Sequence, residues 1–497
     1  MLDPLPDAHE ALLRLKHAAR ADMAALAYPA TPWLSPLADT GTPVCDVAIV
    51  GGGQSAITIA AALQWDGLKD VRLFDSAPAG REGPWTTFAR MEELRTPKTA
   101  VGNEFNVANL SVRRWFETRY GLDAWEALGR IPRTDWKAYL DWYAEVFELA
   151  ITNDTTVTDV SHEGALIAVT TVRHGIIERQ LARAVVLATG FDGAGGWRVP
   201  RFISDNLPPD RYDHTNGAVD FNRLKGKRIG ILGHGASAFD NAIVALNHGA
   251  ASVDLCFRRE KLPRTNPHRA LEAPPLLSQF AELSDATRWQ VARFFRKADQ
   301  PPPVRAFETA LSLAGFRLRP ATPWLDVRQE QGAISVTTPD GTLTFDHLLL
   351  ATGMDVDLSA RPELLTLAPK VALWSERFTP PVDEADTRLA QLPYLDAHYA
   401  FLPKDPSDAW VSRVFAFNSA SFVSHGPHST SISGHRYALP KVVRGIERRL
   451  LLDQEQGVLA GLQGFSSQDL PVSDDFEQTM RALHGAETIP GLMEKAS

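Results

Sequence analysis

A strand, a glycine turn and a helix follow one another twice in this chain, and both copies run on to the tripeptide Ala-Thr-Gly. The first copy is DVAIVGGGQSAITIAAAL, from Asp46, and the second is KRIGILGHGASAFDNAIVAL, residues 227–246. The turns, Gly51-x-Gly53-x-x-Ala56 and Gly233-x-Gly235-x-x-Ala238, lie 182 residues apart. A second strand follows each turn, VRLFD (71–75) in the first copy and SVDLCFRR (252–259) in the second. The tripeptides close the copies at 188–190 and 351–353. Parallel strands need a crossover, usually a helix, so a repeat of this kind confines the chain to an α/β architecture.

The spacing also carries chemistry. The glycines allow a tight bend and let the backbone approach a pyrophosphate, while the small residue Ala56 or Ala238 lets helix and strand pack closely. The helix start offers free N–H groups to phosphate charge. Asp75 ends the second strand 24 residues after Gly51, near the roughly 20-residue spacing of a ribose ligand. An acid there favours a free ribose 2′-OH, so the first module reads as an FAD site built on Gly51, Gly53, Ala56 and Asp75. In the second copy Arg258 and Arg259 stand where the acid was. Guanidinium groups suit a 2′-phosphate, which favours NADPH over NADH at Gly233, Gly235 and Ala238. The plain alternative is a structural turn with a solvated Arg pair.

Two such modules imply electrons passing from nicotinamide to flavin, and composition narrows the acceptor. Cys45 and Cys256 are the only two cysteines, so there is no CxxC pair, iron–sulfur cluster or four-Cys zinc site. A disulfide substrate is excluded on that count; a protein electron carrier and oxygen remain, oxygen being the simpler. With 60 acidic and 51 basic residues the net charge is −9, which argues against nucleic acid as a partner. No apolar run approaches the ~20 residues of a membrane span. The first residues, MLDPLPDAHEALL, are acidic where a signal peptide is basic. The expectation is a cytoplasmic protein with no membrane partner. Oligomeric state stays open, a homo-oligomer included. A length of 497 residues with 44% hydrophobic and 22% charged side chains fits two or three globular domains.

Between the motifs, residues 8–27 read as a helix with Leu12, Leu13, Leu15 and Met23 among its apolar positions, followed by the Pro-rich linker AYPATPWLSPLADTGTP. Trp136, Tyr139, Leu140, Tyr143, Val146 and Phe147 recur at helical spacing and predict a helix over 135–147. Residues 151–187 alternate like a β-meander. A mostly helical stretch covers 272–315, and 332–353 reads as a hairpin turning at Pro339-Asp340-Gly341.

In order, GGGQSA, EGPW, ATG, a His-containing linker, GHGASA, FRR and ATGMD resemble the two-dinucleotide-domain (class B) flavoprotein monooxygenases over about residues 44–450. The resemblance implies an α/β fold of two Rossmann-like domains, the NADPH domain inserted into a discontinuous FAD domain. The expected layout is an N-terminal helix and linker (1–40), an FAD domain (41–195 and 350–455), an NADPH domain (196–349) with a helical insertion, and a tail (456–497). The family's linker motif F-x-G-x-x-x-H-x-x-x-W/Y is matched only by YDHTNGAVDF (212–221), with His214 in place and no aromatic at 218; this departs from the Baeyer–Villiger subclass. Residues 94–142, LRTPK…IPRTDWKAYLDW, are closer to the branch that N-hydroxylates ornithine and lysine, and they are also similar to urate hydroxylases and amino-acid N-oxygenases.

What the resemblance implies is a mechanism in which NADPH reduces FAD, reduced flavin and O2 form a C4a-hydroperoxide, and the retained nicotinamide shields it. The substrate is then a small polar nitrogen compound: an amine or amino acid to N-hydroxylate, or a urate-like heterocycle. Rival readings are ketone or sulfur oxidation, an NADPH-dependent flavin reductase feeding a partner, and a non-catalytic NADP(H) sensor. The resemblance places Trp85 of EGPW beside the FAD and puts Lys98 and Asn103 in the segment used near the flavin ring, as donors to the peroxide. Arg133 matches a basic residue in a P-x-R element, although a cation at a helix start opposes the dipole. In SFVSHGPHSTSISGHR (421–436), His425 and Gly426 match a stretch that covers the isoalloxazine. His425, His428 and His435 could instead suggest metal, but no carboxylate pattern accompanies them, and none is expected.

Overall fold

The computed structural model describes residues 2–35, 37, 43–100, 102, 104–467, 469 and 474–484. Asn103 lies outside the described residues. The chain divides into one unit over Met1–Leu450 and a second over Leu451–Ser497.

Within the first unit, each glycine repeat builds its own sheet, the first mixed and the second parallel. Strand Val44–Val50 pairs in parallel with Val71–Phe74 on one side and Ile176–Gly190 on the other. The 15-residue strand Ile176–Gly190 does two jobs. Its first half pairs antiparallel with Leu166–Arg173, which in turn pairs with Thr155–Glu163, forming the expected meander. Its second half pairs in parallel with Val414–Asn418. That last strand comes from beyond the second repeat, so the first sheet is completed by chain that returns some 220 residues later.

The second sheet is parallel throughout, in the order Phe316–Arg319, Ser252–Cys256, Arg228–Leu232, His347–Leu350, Tyr212–His214. The predicted hairpin is present as Ala333–Thr338 against Gly341–Phe345, with Asp326–Glu330 as a third strand. The continuous reading of 332–353 as hairpin needs correcting: His347–Leu350 leaves it to become a fully buried strand of the parallel sheet.

Helix Gln54–Trp65 packs on the first sheet and Ala236–Asn247 on the second, and Ala56 and Ala238 are both completely buried where helix meets strand. The helix predicted over 135–147 runs Arg133–Val146, and all six residues of its apolar stripe are buried. Leu15, Ala19 and Met23 of helix Ala8–Ala25 enter the same core. That helix stops before the predicted residue 27 because Ala27 takes a left-handed φ of 60° ahead of Pro29. The predicted helical stretch resolves into Pro274–Gln279, Asp285–Ala298 and Val304–Ser312, with Ser284 capping the second and the prolines 301–303 separating the last two. In the second unit, Glu455–Gln463 and Asp474–His484 are helical. No described helix is long and apolar enough to cross a membrane.

The two turns share the same backbone contacts. Gly51 sits at φ 117° and Gly233 at φ 132°. The Gly51 N–H donates to Phe74 O (2.7 Å) and the Gly233 N–H to Cys256 O (3.0 Å), in each case the last residue of the following strand. A Cβ on Gly51 would lie 2.5 Å from the carbonyl oxygen of Ala188, and one on Gly233 would run into that of Ala351. These are the alanines of the two Ala-Thr-Gly tripeptides, so the repeat of tripeptide and glycine is one contact made twice.

Gly51→Ala should therefore destabilise the protein by about 1–3 kcal/mol, from left-handed strain and the carbonyl clash. Gly53 has an ordinary φ of −75° and its nearest neighbour is 3.5 Å away, so Gly53→Ala should keep the thermal midpoint while weakening flavin retention. Thermal unfolding and the flavin absorbance of the purified variants separate the two effects.

Candidate active site

The first glycine loop is braced from below and open above. Asp75 Oδ2 accepts the Gly52 N–H (2.6 Å) and Oδ1 accepts that of Ala77 (2.7 Å). Burial pushes its carboxyl up while the two N–H donors pull it down, with burial ahead. Gly53 caps helix Gln54–Trp65 and faces the backbone of Gly83 in EGPW. Beside the loop is a cavity of about 420 Å³ lined by Gly52, Gly53, Gln54, Glu82, Lys137 and Ile151, among others. Its charged wall is a buried pair, Lys137 Nζ 3.0 Å from Glu82 Oε2. Lys137 also meets Asp141, and Asn153 donates to Glu82 (2.7 Å). Burial alone would raise the Glu82 carboxyl, but these hydrogen bonds hold it below the usual range.

A polar chain ties this loop to the last long helix, Ile432–Leu452. Arg133 donates to the carbonyl of Trp85, and burial lowers its pKa. The Trp85 ring meets Trp136 edge-on at 6.5 Å. Trp136 Nε1 donates to Gln54 Oε1 (3.0 Å), which leaves the Gln54 amide to donate to His435 Nδ1 (2.9 Å). His435 is then the Nε2–H tautomer and donates to Ser55 Oγ (3.0 Å). Complete burial lowers its pKa to about 3, so it is neutral. Trp85 Nε1 is buried with no partner among the described residues.

His425 stacks on Tyr399 at 3.6 Å and donates from Nε2 to Asp396 O (2.9 Å); its buried Nδ1 has no partner among the described residues. Gly426, at φ 86°, lies under the Phe280 ring. His428 instead meets His268, Nδ1 of the latter at 3.1 Å. The three histidines thus point to three separate partners. Among the described residues no cluster could hold a metal ion. The stretch expected to precede the last helix also supplies its first turns, since the helix starts at Ile432.

At the second loop, Gly235 caps helix Ala236–Asn247, and His234 Nε2 lies 3.0 Å from Asp299 Oδ2. The strand ends at Cys256, so Arg258 and Arg259 lie two and three residues past it rather than in the strand. Arg258 is exposed; Arg259 donates to Lys297 O (2.9 Å). His214 lies in the connection between the modules. Its Nδ1 accepts the Asn216 N–H (3.2 Å), its Nε2 donates to Gly353 O (3.1 Å), and its ring stacks on Trp197 at 5.4 Å. Burial lowers its pKa. Lys98 places its ammonium on Trp125 O (2.6 Å) and over the Trp125 ring.

These residues fit a dinucleotide at each loop. The first and third motif positions behave as the phosphate-binding turn requires, the first cavity adds a buried Lys, and the EGPW stretch next to the loop carries the unpartnered indole N–H of Trp85. Sequence reasoning missed Gln54, Ser55, Glu82, Lys137 and Trp136. Only GGGQSA and EGPW carried a signal for the first three, since both motifs were read for their glycines and tryptophan alone.

A family model described as pyridine nucleotide-disulphide oxidoreductase matches residues 48–293. No disulfide centre accompanies it: Cys45 and Cys256 are both buried and unpaired, and burial pushes their thiols up to about 12 and about 11. The fold is shared with ornithine hydroxylase from Pseudomonas aeruginosa (TM-score 0.65, 18% identity, covering 82% of this chain and 100% of that one). It is shared as well with ornithine N-hydroxylase from Kutzneria sp. 744 (TM-score 0.63, 15% identity, 82% and 100%). Fold and site together define a flavoprotein with two dinucleotide-type modules. The FAD-dependent urate hydroxylase of Xanthomonas campestris is 39% identical over 455 residues, 91% of this chain and 96% of that protein. The chain therefore belongs to the class B flavoprotein monooxygenases, in the family of that urate hydroxylase.

The buried neutral histidines set a pH dependence. His435 has a folded pKa near 3 against an ordinary 6.5, and His268 near 4. Below about pH 6.5 the unfolded chain takes up protons that the folded chain refuses, so stability is full above that pH and falls toward pH 3. Each such histidine contributes up to about 1.4 kcal/mol per pH unit in that window. His435→Gln should be less stable at pH 7 yet show a shallower loss on acidification, measured by denaturant unfolding from pH 7 to 4.

Proposed function

We infer that this protein is an FAD- and NADPH-dependent monooxygenase acting on a small, polar, nitrogen-containing substrate. The observation that carries the inference is the pair of matching glycine loops with different surroundings, an acid after the second strand of the first and arginines beyond that of the second. The extent of similarity to the urate hydroxylase supports it. In this reading residues 41–195 and 350–455 form the FAD domain, 196–349 the NADPH domain and 456–497 a tail, and the protein acts in the cytoplasm.

Flavin held there would supply the redox chemistry, hydride acceptance from nicotinamide and activation of O2 for transfer of one oxygen atom to the substrate. The chain's own residues bind and orient. Gly51 and Gly53 bring backbone N–H groups to the pyrophosphate at the start of helix Gln54–Trp65. Asp75 holds the Gly52 N–H and closes the ribose end of the loop. Neutral His435 fixes Gln54 and Ser55 in the first turn of that helix. Gly233 and Gly235 would do for NADPH what their counterparts do for FAD, and exposed Arg258 would hold the 2′-phosphate. His425, stacked on Tyr399, and Gly426, under the Phe280 ring, would back the flavin ring. Lys98 acts as a brace, its ammonium held by Trp125.

The direct test is NADPH consumption with candidate purines, amines and amino acids, with product mass measured. Stimulated turnover with an oxygenated product is expected; NADPH oxidation giving only H2O2 with every compound overturns the monooxygenase reading. Arg258→Ala should raise the Michaelis constant for NADPH roughly tenfold to a hundredfold and leave that for NADH unchanged, since a charge-assisted contact contributes ~1.5–3 kcal/mol. Lys98→Met should lower stability by about 1 kcal/mol without changing the ratio of product to NADPH, as read by unfolding and a coupled H2O2 assay.

A further inference from the structure

The acid that follows the second strand of a dinucleotide module is the residue the pattern assigns to the ribose, and here that carboxylate is already engaged. Asp75 Oδ2 accepts the Gly52 N–H at 2.6 Å, and Oδ1 accepts the Ala77 N–H at 2.7 Å. A Cβ on Gly52 would stand 3.1 Å from the same Oδ2, so the Asp75 side chain lies hard against the loop. The cavity of about 420 Å³ beside the loop is lined by Glu82 and Lys137, and Asp75 is not part of its lining.

Glu82 and Lys137 are both more than nine-tenths buried, with side chains 8% and 7% exposed. Glu82 Oε1 accepts the Gly80 N–H (3.1 Å) and the Asn153 amide (2.7 Å). Glu82 Oε2 meets Lys137 Nζ at 3.0 Å. A carboxylate oxygen has two lone pairs, so Oε2 can take a second donor. The Lys137 ammonium has three N–H groups, of which Glu82 and Asp141 take two. Hydrogen bonds hold the Glu82 carboxyl below the usual range, so it is ionised and accepts only. A buried ion pair is by itself a weak source of stability. This one is also not closed on itself, since it presents an acceptor and a donor side by side on a cavity wall. The rest of that lining includes Ile57, Leu140, Leu149 and Ile151, an apolar surface suited to the face of a flat ring.

We propose that Glu82 and Lys137, rather than Asp75, hold the 2′,3′-diol of the adenosine ribose of FAD: one hydroxyl donates to Glu82 Oε2 and its neighbour accepts from Lys137 Nζ. Hydroxyls on adjacent ring carbons form a donor and an acceptor side by side, the complement of this pair. Asp75 shapes the loop from behind by holding two backbone N–H groups. The assignment accounts for a lysine placed in the interior at the fifth position of helix Arg133–Val146, where a core residue would otherwise stand. The proposal rests on the reading that the first module binds FAD, and it names the residues that recognise the sugar.

The test follows flavin release from the full-length, FAD-loaded protein on dilution, read as the rise in flavin fluorescence. The same protein is then exchanged with the FAD analogue whose adenosine lacks both ribose hydroxyls. Wild type should release the analogue about tenfold faster than FAD, or more, since hydrogen bonds to charged groups are lost. Lys137→Met and the double variant Glu82→Met/Lys137→Met should release FAD about tenfold faster than wild type does, and should release FAD and the analogue at nearly equal rates. Asp75→Asn should hasten the release of both and keep the wild-type ratio between them. Thermal midpoints confirm that each variant is folded. Should the single variant leave Glu82 uncompensated and fail to fold, the double variant, which removes the buried pair whole, carries the test. Equal release of the two flavins by wild type, a wild-type ratio kept by the double variant, or a ratio lost in Asp75→Asn each overturn the assignment and leave FAD in the module. Protein that retains no flavin and takes none up on addition removes the FAD reading itself.

Discussion

The contact on which the rest of this structure depends is between two stretches of backbone. Gly51 lies against the carbonyl of Ala188, and Gly233 against that of Ala351. No side chain fits there, and both glycines adopt a conformation that L-residues rarely take. Because the turn rests directly on the end of the neighbouring central strand, the helix that follows starts at the carboxyl edge of its sheet, where α/β proteins hold ligands. The N–H of the same glycine is taken up by the end of the second strand. One close approach therefore fixes the strand order around it, the entry of the helix and the direction of the free amide groups.

The tripeptide that receives the glycine is also where the chain changes module. After the first one it runs through Gly195–Trp197, and after the second it comes back through Met354–Val356, and these two short strands pair antiparallel. Several side chains secure the crossing. Arg198 reaches Asp355 at 2.9 Å and Met354 O at 2.9 Å, Thr352 bonds to the carbonyl of Arg198, and His214 bonds to Gly353. A neutral histidine suits this place, since it both accepts from Asn216 and donates to Gly353. In this structure His214 is a joint between connections, a role that accounts for its position without the aromatic residue expected at 218.

Much of this was legible in the sequence, for physical reasons. The glycine turns, their small third residues and the helix Arg133–Val146 follow from local geometry and periodicity, which a linear pattern carries well. Ends of elements were less legible. Cys256 closes its strand although the apolar-to-basic run continues to Arg259, because pairing with Phe316–Arg319 stops at Cys256. The strand His347–Leu350 was hidden inside a hairpin pattern because a fully buried parallel strand and a hairpin arm are both apolar runs. Long-range polar partners were least legible of all. Nothing near His435 announces Gln54 and Ser55, some 380 residues earlier, and nothing near Arg95 announces Asp240. Such pairs are set by tertiary packing. Lys98 illustrates the same limit: its segment was recognisable, while its attachment to Trp125 was not.

The paired crossing strands have a consequence for how such a chain can arise and be rearranged. Gly195 faces Val356 across the ribbon, and a side chain on Gly195 would collide with the backbone of Asp355. The two ends of everything between them are therefore neighbours, a strand spacing of about 4.8 Å apart. Segments whose ends meet can be inserted into a host, or removed from it, without stretching either part. Deleting 196–355 and rejoining the flanks with a tight turn leaves Ile176–Gly190 and Val414–Asn418 free to pair as they do now. The ribbon is thus a seam, the place where the two ends of the second glycine-loop segment meet and leave the first sheet to close without it.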